Sequence, residues 1–260
     1  MGSSHPTKIS FHPSSDIPSL KDKVILVTGG NSGLGKQSLI ELCQHEPSTI
    51  WLASRRIDKA NEIRFGTNYL GHAFPVHCLL PLLVETARQS GSDMRVVLLS
   101  SVAHRYAPSK GIIFSSLKNS ASNMGTVARY GQSKLAIILY GQELARKYPM
   151  LKAAIVHPGQ VRTSLGDTAS SSSVVMIILW KLTSAFMGVG PQTGVLNQLW
   201  GATAHDIQSG EYYEPVGVMN RGSKHTRGPE LAVRLWNWTM QEFHEYKGNG
   251  EGAGVQIPEH

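Results

Sequence analysis

Three observations predict a doubly wound α/β fold with a parallel sheet flanked by helices. First, a β-branched apolar run, Val24 to Val27, enters a glycine-rich stretch, Thr28 to Gly35, followed by a helical pattern and a second apolar run, Thr49 to Ala53. Second, apolar runs and helical patterns alternate again through Arg95 to Leu99, Tyr130 to Lys147 and Lys152 to Val156. Third, 260 residues suffice for one sizeable core, and α/β layers of that length usually form one domain. Strands separated by helices are joined by crossovers, and crossovers make neighbouring strands parallel.

Each element has a local reason. Val24 to Val27 lacks polar alternation, as a strand buried on both faces does. Ser38, Leu39, Ile40, Leu42 and Cys43 then extend an apolar helix face as far as Pro47. The strand Arg95 to Leu99 ends at Ser100 and Ser101, and Lys152 to Val156 ends at His157, Pro158 and Gly159. Leu231, Leu235 and Trp238 recur at helical spacing after Pro229, which predicts a helix from Leu231 to Tyr246. The ordered domain is expected over residues 21–246. Pro6, Pro13, Pro18 and several serines make residues 1–20 a flexible arm, and the glycine-rich residues 247–260 a flexible tail.

Composition narrows the class. The chain carries 25 Lys and Arg against 18 Asp and Glu, a net charge of +7 that would favour polyanions. The charge is scattered, with neither a basic run nor arginine–aromatic interleaving, so no nucleic-acid partner is expected. Cys43 and Cys78 lack metal-ligand spacing and lie in apolar helical stretches, so they read as buried thiols in a reducing compartment, and no metal site is expected. The N-terminal residues lack a signal-peptide core, which leaves a cytoplasmic location as the expectation.

Two motifs carry chemistry. In Thr28-Gly29-x-x-x-Gly33-x-Gly35, which includes Asn31, Ser32 and Leu34, the glycines allow a tight turn and close approach to a pyrophosphate at a helix N-terminus. Tyr130 and Lys134 stand four apart on a helix, so their side chains share a face. A fixed cation beside a phenol favours its phenolate, which brings proton transfer into range near neutral pH.

With these motifs in place, the chain resembles the short-chain dehydrogenase/reductase family over Asp22 to Trp238. Thr67 to His72 is similar to the family segment bearing the catalytic asparagine, Leu99 to His104 to its serine strand, and Pro158 to Thr163 to its nicotinamide loop. The serine segment is similar to the retinol dehydrogenase and WW-domain oxidoreductase branch. The resemblance implies a Rossmann-type sheet and interconversion of a carbonyl and an alcohol. Tyr130 would be the general acid and base, Lys134 would lower its pKa and bind the nicotinamide ribose, Ser101 would hold the substrate oxygen, and Asn68 would hold a helix kink and a proton-relay water. Gly29, Asn31, Ser32, Gly33, Leu34, Gly35, Asn68, Tyr130, Lys134, Pro158, Gly159, Val161 and Thr163 would bind the cofactor. The family's long helix, here Tyr130 to Lys147, implies a homodimer or homotetramer.

Cofactor choice is read after the second strand. Ser54-Arg55-Arg56 offers cations and no carboxylate, so NADP(H) is expected, with Arg55 on the 2′-phosphate. Residues 164–190 occupy the place of the family's substrate lid, and the apolar Val174 to Trp180 within it implies a lipophilic substrate. Lys181 makes that run too short for a membrane span, while interfacial contact stays open.

One stretch departs from the pattern. Only Ile57 to Thr67 separates Arg56 from Asn68, where the family fits two further strands and helices, a shortfall on the order of 50 to 60 residues. The sheet is therefore expected to have fewer than the usual seven strands, with Val96 to Leu99 pairing directly against Val24 to Val27. Two readings follow: an active oxidoreductase with a contracted sheet, or a catalytically impaired binding or scaffold protein.

Overall fold

The structure, a computed structural model, describes residues 9–53, 65–89, 91–119, 123–158 and 191–249. Five strands fall among them. Strand β1 (Val24–Thr28) leads through the glycine loop into helix α2 (Gly33–Cys43) and strand β2 (Thr49–Ala53); a single helical turn, α1 (Pro13–Asp16), precedes them. A π-helical turn (Gly66–Leu70) opens helix α3 (Gly71–Ala87), which is followed by β3 (Arg95–Leu99). Two 3-10 turns (Val102–Tyr106 and Phe114–Ser116) lead to the long helix α4 (Thr126–Lys147), then β4 (Lys152–Val156). Helices α5 (Pro191–Gly194) and α6 (Leu196–Thr203), strand β5 (Tyr212–Tyr213), a 3-10 turn (Lys224–Thr226) and helix α7 (Pro229–Asn249) complete the order.

Every strand pair is parallel. β1 pairs with β2, Val24 opposite Thr49 through Thr28 opposite Ala53. β3 pairs with β4, Arg95 opposite Lys152 through Leu99 opposite Val156, and β4 pairs with β5. The expected ladder between β3 and β1 is not formed, and among the described residues the strands make two sheets, β1-β2 and β3-β4-β5. The reason lies in the connection. β3 already has β4 on one edge, and no described strand occupies the place between β1 and β3.

Side-chain packing joins what the ladders leave apart. One apolar cluster centres on α4, whose Leu135, Ile138, Leu139 and Leu144 are buried with Val96, Leu98 and Ile155 of the sheet and Leu235, Trp236 and Phe243 of α7. Gly141 allows α4 to lie close on the strands, since a Cβ there would meet Ile155 Cγ1 at 2.5 Å and Leu98 Cδ1 at 2.9 Å. A second cluster gathers Leu42, Val156, Leu199, Trp200 and Tyr213, with Ile25, Leu34 and Ile50 of the β1-α2-β2 unit and Val97 and Leu99 of β3 packed against it.

Three expectations are corrected. Residues 9–20 are no free arm: Phe11, Ile17 and Leu20 are buried in the second cluster, and the Ile9 N–H donates to Val216 O at 3.2 Å. The two thiols are exposed. Leu42 takes the core-facing place beside Cys43, and Ala73 and Leu80 take it on α3, where a helix apolar all round hides which side faces inward. Thirdly, β1 and β2 are not covered on both faces. Val24 (67% exposed), Leu26 (44%) and Trp51 (64%) form an open apolar face, Leu26 lying opposite Trp51.

Among the described residues, the apolar helical stretch of membrane-like length is Gly66–Ala87; residues 174–189 lie outside them. By length and composition it could cross a bilayer, and little of it is buried. Part of it meets α7, where the Phe74 and Phe243 rings lie 5.1 Å apart edge to face.

Candidate active site

The site forms where β3 ends beneath the first turns of α4. Ser101 leaves the strand extended and caps the 3-10 turn, its Oγ accepting from the Ala103 N–H at 3.2 Å. Gly131 lets that turn press on α4. A Cβ at residue 131 would lie 2.6 Å from Ala103 O and 2.8 Å from Ala107 N, both backbone atoms that have little room to yield. The Tyr130 phenol thereby comes within hydrogen-bonding reach of the Ser101 side chain.

The neighbouring polar groups hold the helix rather than the phenol. Ser100 Oγ donates to Lys134 O at 2.8 Å, and Lys134 Nζ donates to Leu99 O at 3.1 Å. Asn68, inside the π-helical turn, donates through Nδ2 to Ser133 Oγ at 3.4 Å, and Ser133 Oγ donates to Tyr130 O at 2.8 Å. The four residues read as catalytic, Ser101, Tyr130, Lys134 and Asn68, thus lie on one connected patch. Of the two adjacent serines, Ser100 is occupied by the helix backbone and Ser101 faces the phenol.

The electrostatics differ from the expectation in one respect. Lys134 Nζ lies 5.7 Å from the Tyr130 ring centroid, on the same helix face. Yet burial raises the Tyr130 pKa, with only the Ser101 hydrogen bond pulling it down. Burial also lowers Lys134, to about 8. The ammonium, bonded to Leu99 O, does not depress the phenol in this state, so Tyr130 is held as a neutral acid at neutral pH.

The glycine loop has the shape of a phosphate cradle. Gly29 (φ 70°) and Gly33 (φ 54°) have left-handed backbones that other residues adopt at a cost. At Gly35 a Cβ would collide with the Gly29 carbonyl, so only glycine lets the helix start fold back on the turn. Ser32 N-caps α2 without a side-chain bond to the helix, which leaves the first N–H groups of an 11-residue helix facing the loop. These residues fit a dinucleotide pyrophosphate. Thr28 Oγ1 lies 3.3 Å from His72 Nδ1, so the start of α3 stands against the end of β1.

Pro158 follows β4, and the strand end before it is clamped. Asn197 Nδ2 donates to His157 O at 2.8 Å and to Tyr213 O at 2.9 Å, tying the ends of β4 and β5 together. His157 is buried and its pKa is pushed down to about 4, chiefly by desolvation, so its ring is neutral. Arg55, Gly159, Val161, Thr163 and the 164–190 lid lie outside the described residues. Among the described residues no three His, Cys, Asp or Glu side chains gather as a metal site.

Gly131, Asn197 and His104 were not read from the sequence as part of the site. Gly131 had a signal, since a glycine directly after the tyrosine of a helix face marks a close approach. Asn197 and His104 had none, because their partners are backbone carbonyls and an amide distant in sequence.

Comparison with known proteins bears on the family and the fold. No family model matches the chain. A short-chain dehydrogenase/reductase of Aspergillus calidoustus is 27% identical, with 87% of this chain and 95% of that protein covered. That alignment runs over 305 positions although this chain has only 260 residues, so tens of its positions have no counterpart here. Retinol dehydrogenase 12 of Mus musculus is 35% identical over 180 residues, 68% of this chain and 52% of that one. Among solved structures, an NADPH-bound carbonyl reductase from chicken fatty liver superposes with a TM-score of 0.52 at 15% identity, covering 79% of this chain and 96% of that one. A Saccharomyces cerevisiae short-chain dehydrogenase/reductase does so with a TM-score of 0.52 at 19% identity, covering 73% and 94%. The chain belongs to the short-chain dehydrogenase/reductases, a family of oxidoreductases, and lacks an internal part of the length its relatives have.

Proposed function

We propose that this chain is an NADP(H)-dependent oxidoreductase of the cytoplasm that interconverts a ketone or aldehyde with an alcohol on a lipophilic small molecule. The observation that carries the reading is Tyr130 and Lys134 on one face of α4, Nζ 5.7 Å from the ring, with the Ser101 side chain near enough to the phenol to pull its pKa down. The nicotinamide would supply or accept the hydride. The chain's own residues manage the oxygen. Ser101 donates to the oxygen on which charge develops, and Tyr130 delivers the proton in reduction or removes it in oxidation. A phenol whose pKa is raised by burial is protonated at neutral pH, which suits the reducing direction.

Arg55, after β2, supports NADP(H) through the fit of a guanidinium to a 2′-phosphate, and the chicken carbonyl reductase is a neighbour in fold that binds NADPH. A homodimer or homotetramer is proposed with it. Helix α4 offers little surface for that association, since its middle is already buried against β4 and α7.

Titration of the purified chain with NADPH and with NADH tests the reading. NADPH binding tighter than NADH is expected, and absence of NADPH binding at about 1 mM would overturn it, 1 mM corresponding to only about 4 kcal/mol of binding. Tyr130→Phe is expected to abolish turnover and leave NADPH affinity within about twofold, a change well under 1 kcal/mol. The second reading, a scaffold that keeps the family shell, is favoured by the open apolar face at Leu26 and Trp51. Turnover by the wild-type chain would exclude it.

A further inference from the structure

We propose that His104 is a positioning residue for the active site, holding Ser101 through its backbone and tying it to the Arg221–Arg227 segment. The inference rests on the reading that Ser101 holds the reacting oxygen. His104 is fully buried. Its Nδ1 lies 2.7 Å from Ser101 O, and its Nε2 lies 3.0 Å from the Ser223 N–H.

These two partners fix the ring's state. A carbonyl can only accept, so Nδ1 carries the hydrogen; a backbone N–H can only donate, so Nε2 presents its lone pair. The ring is the neutral Nδ1–H tautomer, and a second proton would cost it the Ser223 bond. Burial lowers its pKa in the same sense. Tyr212 packs edge-on to the ring at 5.0 Å, and Arg105, Glu214 and His157 are the charged or titratable groups around it. Arg105 reinforces the link from the surface side, donating to Glu214 Oε2 at 2.9 Å and to Arg221 O at 2.8 Å.

The consequence falls on one rotor. Ser101 Oγ can face Tyr130 only while the Ser101 backbone stays extended at the end of β3, and His104 is the side chain that grips that backbone. The ring reads out the 221–227 segment at its other end.

Three variants and one spectrum test this. His104→Asn keeps a donor near Nδ1 and loses the Ser223 acceptor; His104→Gln does the reverse; His104→Leu loses both. With NADPH and a ketone substrate, His104→Leu is expected to lower kcat about tenfold with NADPH affinity unchanged, a difference of about 1.4 kcal/mol in the barrier. His104→Asn should recover most of kcat and His104→Gln less. In a Ser101→Ala background the kcat effect of His104→Leu should vanish while its effect on melting persists. Equal kcat losses in both backgrounds, or better rescue by Gln than by Asn, would overturn the proposal. Independently of turnover, nitrogen–proton correlation spectra of the wild-type ring should show the neutral Nδ1–H form at pH 7, persisting below the midpoint of an ordinary imidazole at about 6.5. An Nε2–H tautomer or a protonated ring would also overturn it. A wild-type chain without turnover would fail the oxidoreductase reading alone, leaving the spectrum to decide whether His104 grips Ser101.

Discussion

At Gly131 the side chain that is absent matters as much as those present. The contact between the Ser101 turn and α4 is backbone on backbone, so a methyl there must push the turn outward. Gly131→Ala is expected to cost about 1 to 3 kcal/mol, as overpacking does, and to lower kcat more than it weakens NADPH binding. Urea unfolding and steady-state kinetics measure the two effects. Lys134 gives a second test at this scale. Its pKa is depressed from 10.5 to about 8, so at neutral pH the fold bears the full cost of burying its charge. The cost is relieved as pH rises from about 8 towards 10.5, because the unfolded chain then binds more protons than the folded one. Cofactor-free protein should therefore gain stability across that window. Lys134→Met should flatten the rise and melt no lower than wild type at pH 7, as read by melting curves at stepped pH.

Elements show how much local sequence could settle. β2, β3 and β4 lie where the apolar runs place them, and β1 extends one residue further, to Thr28. Helix α4 starts at Thr126 instead of Tyr130, because its first turn buries no side chain and so adds nothing to the core-facing stripe. The strand β5 is only Tyr212 and Tyr213, too short for any period, and exists because β4 offers a free edge. At the start of β3, Arg95 makes two bonds to Asp93, Nε to Oδ1 at 2.9 Å and Nη2 to Oδ2 at 2.5 Å, and Nη1 reaches Ala204 O at 2.7 Å. This holds the Asp93 carboxylate down at about 2. Its stabilising contribution is present above about 3.8 and lost as pH falls through about 2. Asp93→Asn should remove that part of the acid transition and lower the melting temperature at pH 7, where wild type and variant differ by the full pairing.

For the whole molecule, the telling feature is where the core is not. Parallel sheets are normally covered on both faces, yet β1 and β2 leave Val24, Leu26 and Trp51 exposed, and among the described residues β1 has a ladder partner only in β2. Leu26→Ala is therefore expected to cost under about 1 kcal/mol, whereas Leu135→Ala, at a wholly buried position, should cost about 2 to 5. Urea unfolding of the two variants compares them. Equal losses would mean that the open face is covered in solution.

The sequence by itself determined the ancestry and named the residues on which the proposed chemistry rests. A glycine turn, a serine at a strand end and a tyrosine four before a lysine are local signals, because each depends on backbone conformation and spacing within one element. Its short count between Arg56 and Asn68 also predicted a sheet of fewer strands than the family's seven. Only the tertiary structure decided how that loss is borne. β3 does not pair with β1; among the described residues the strands stay in two sheets, and side chains of the second cluster hold the two together. Likewise Lys134 was legible as a partner of Tyr130, but its bond to Leu99 O and the burial that keeps the phenol protonated were not. Ladder partners, desolvation and bonds such as those of His104 to Ser223 and of Asn197 to His157 join residues far apart in the chain, and no local pattern records them.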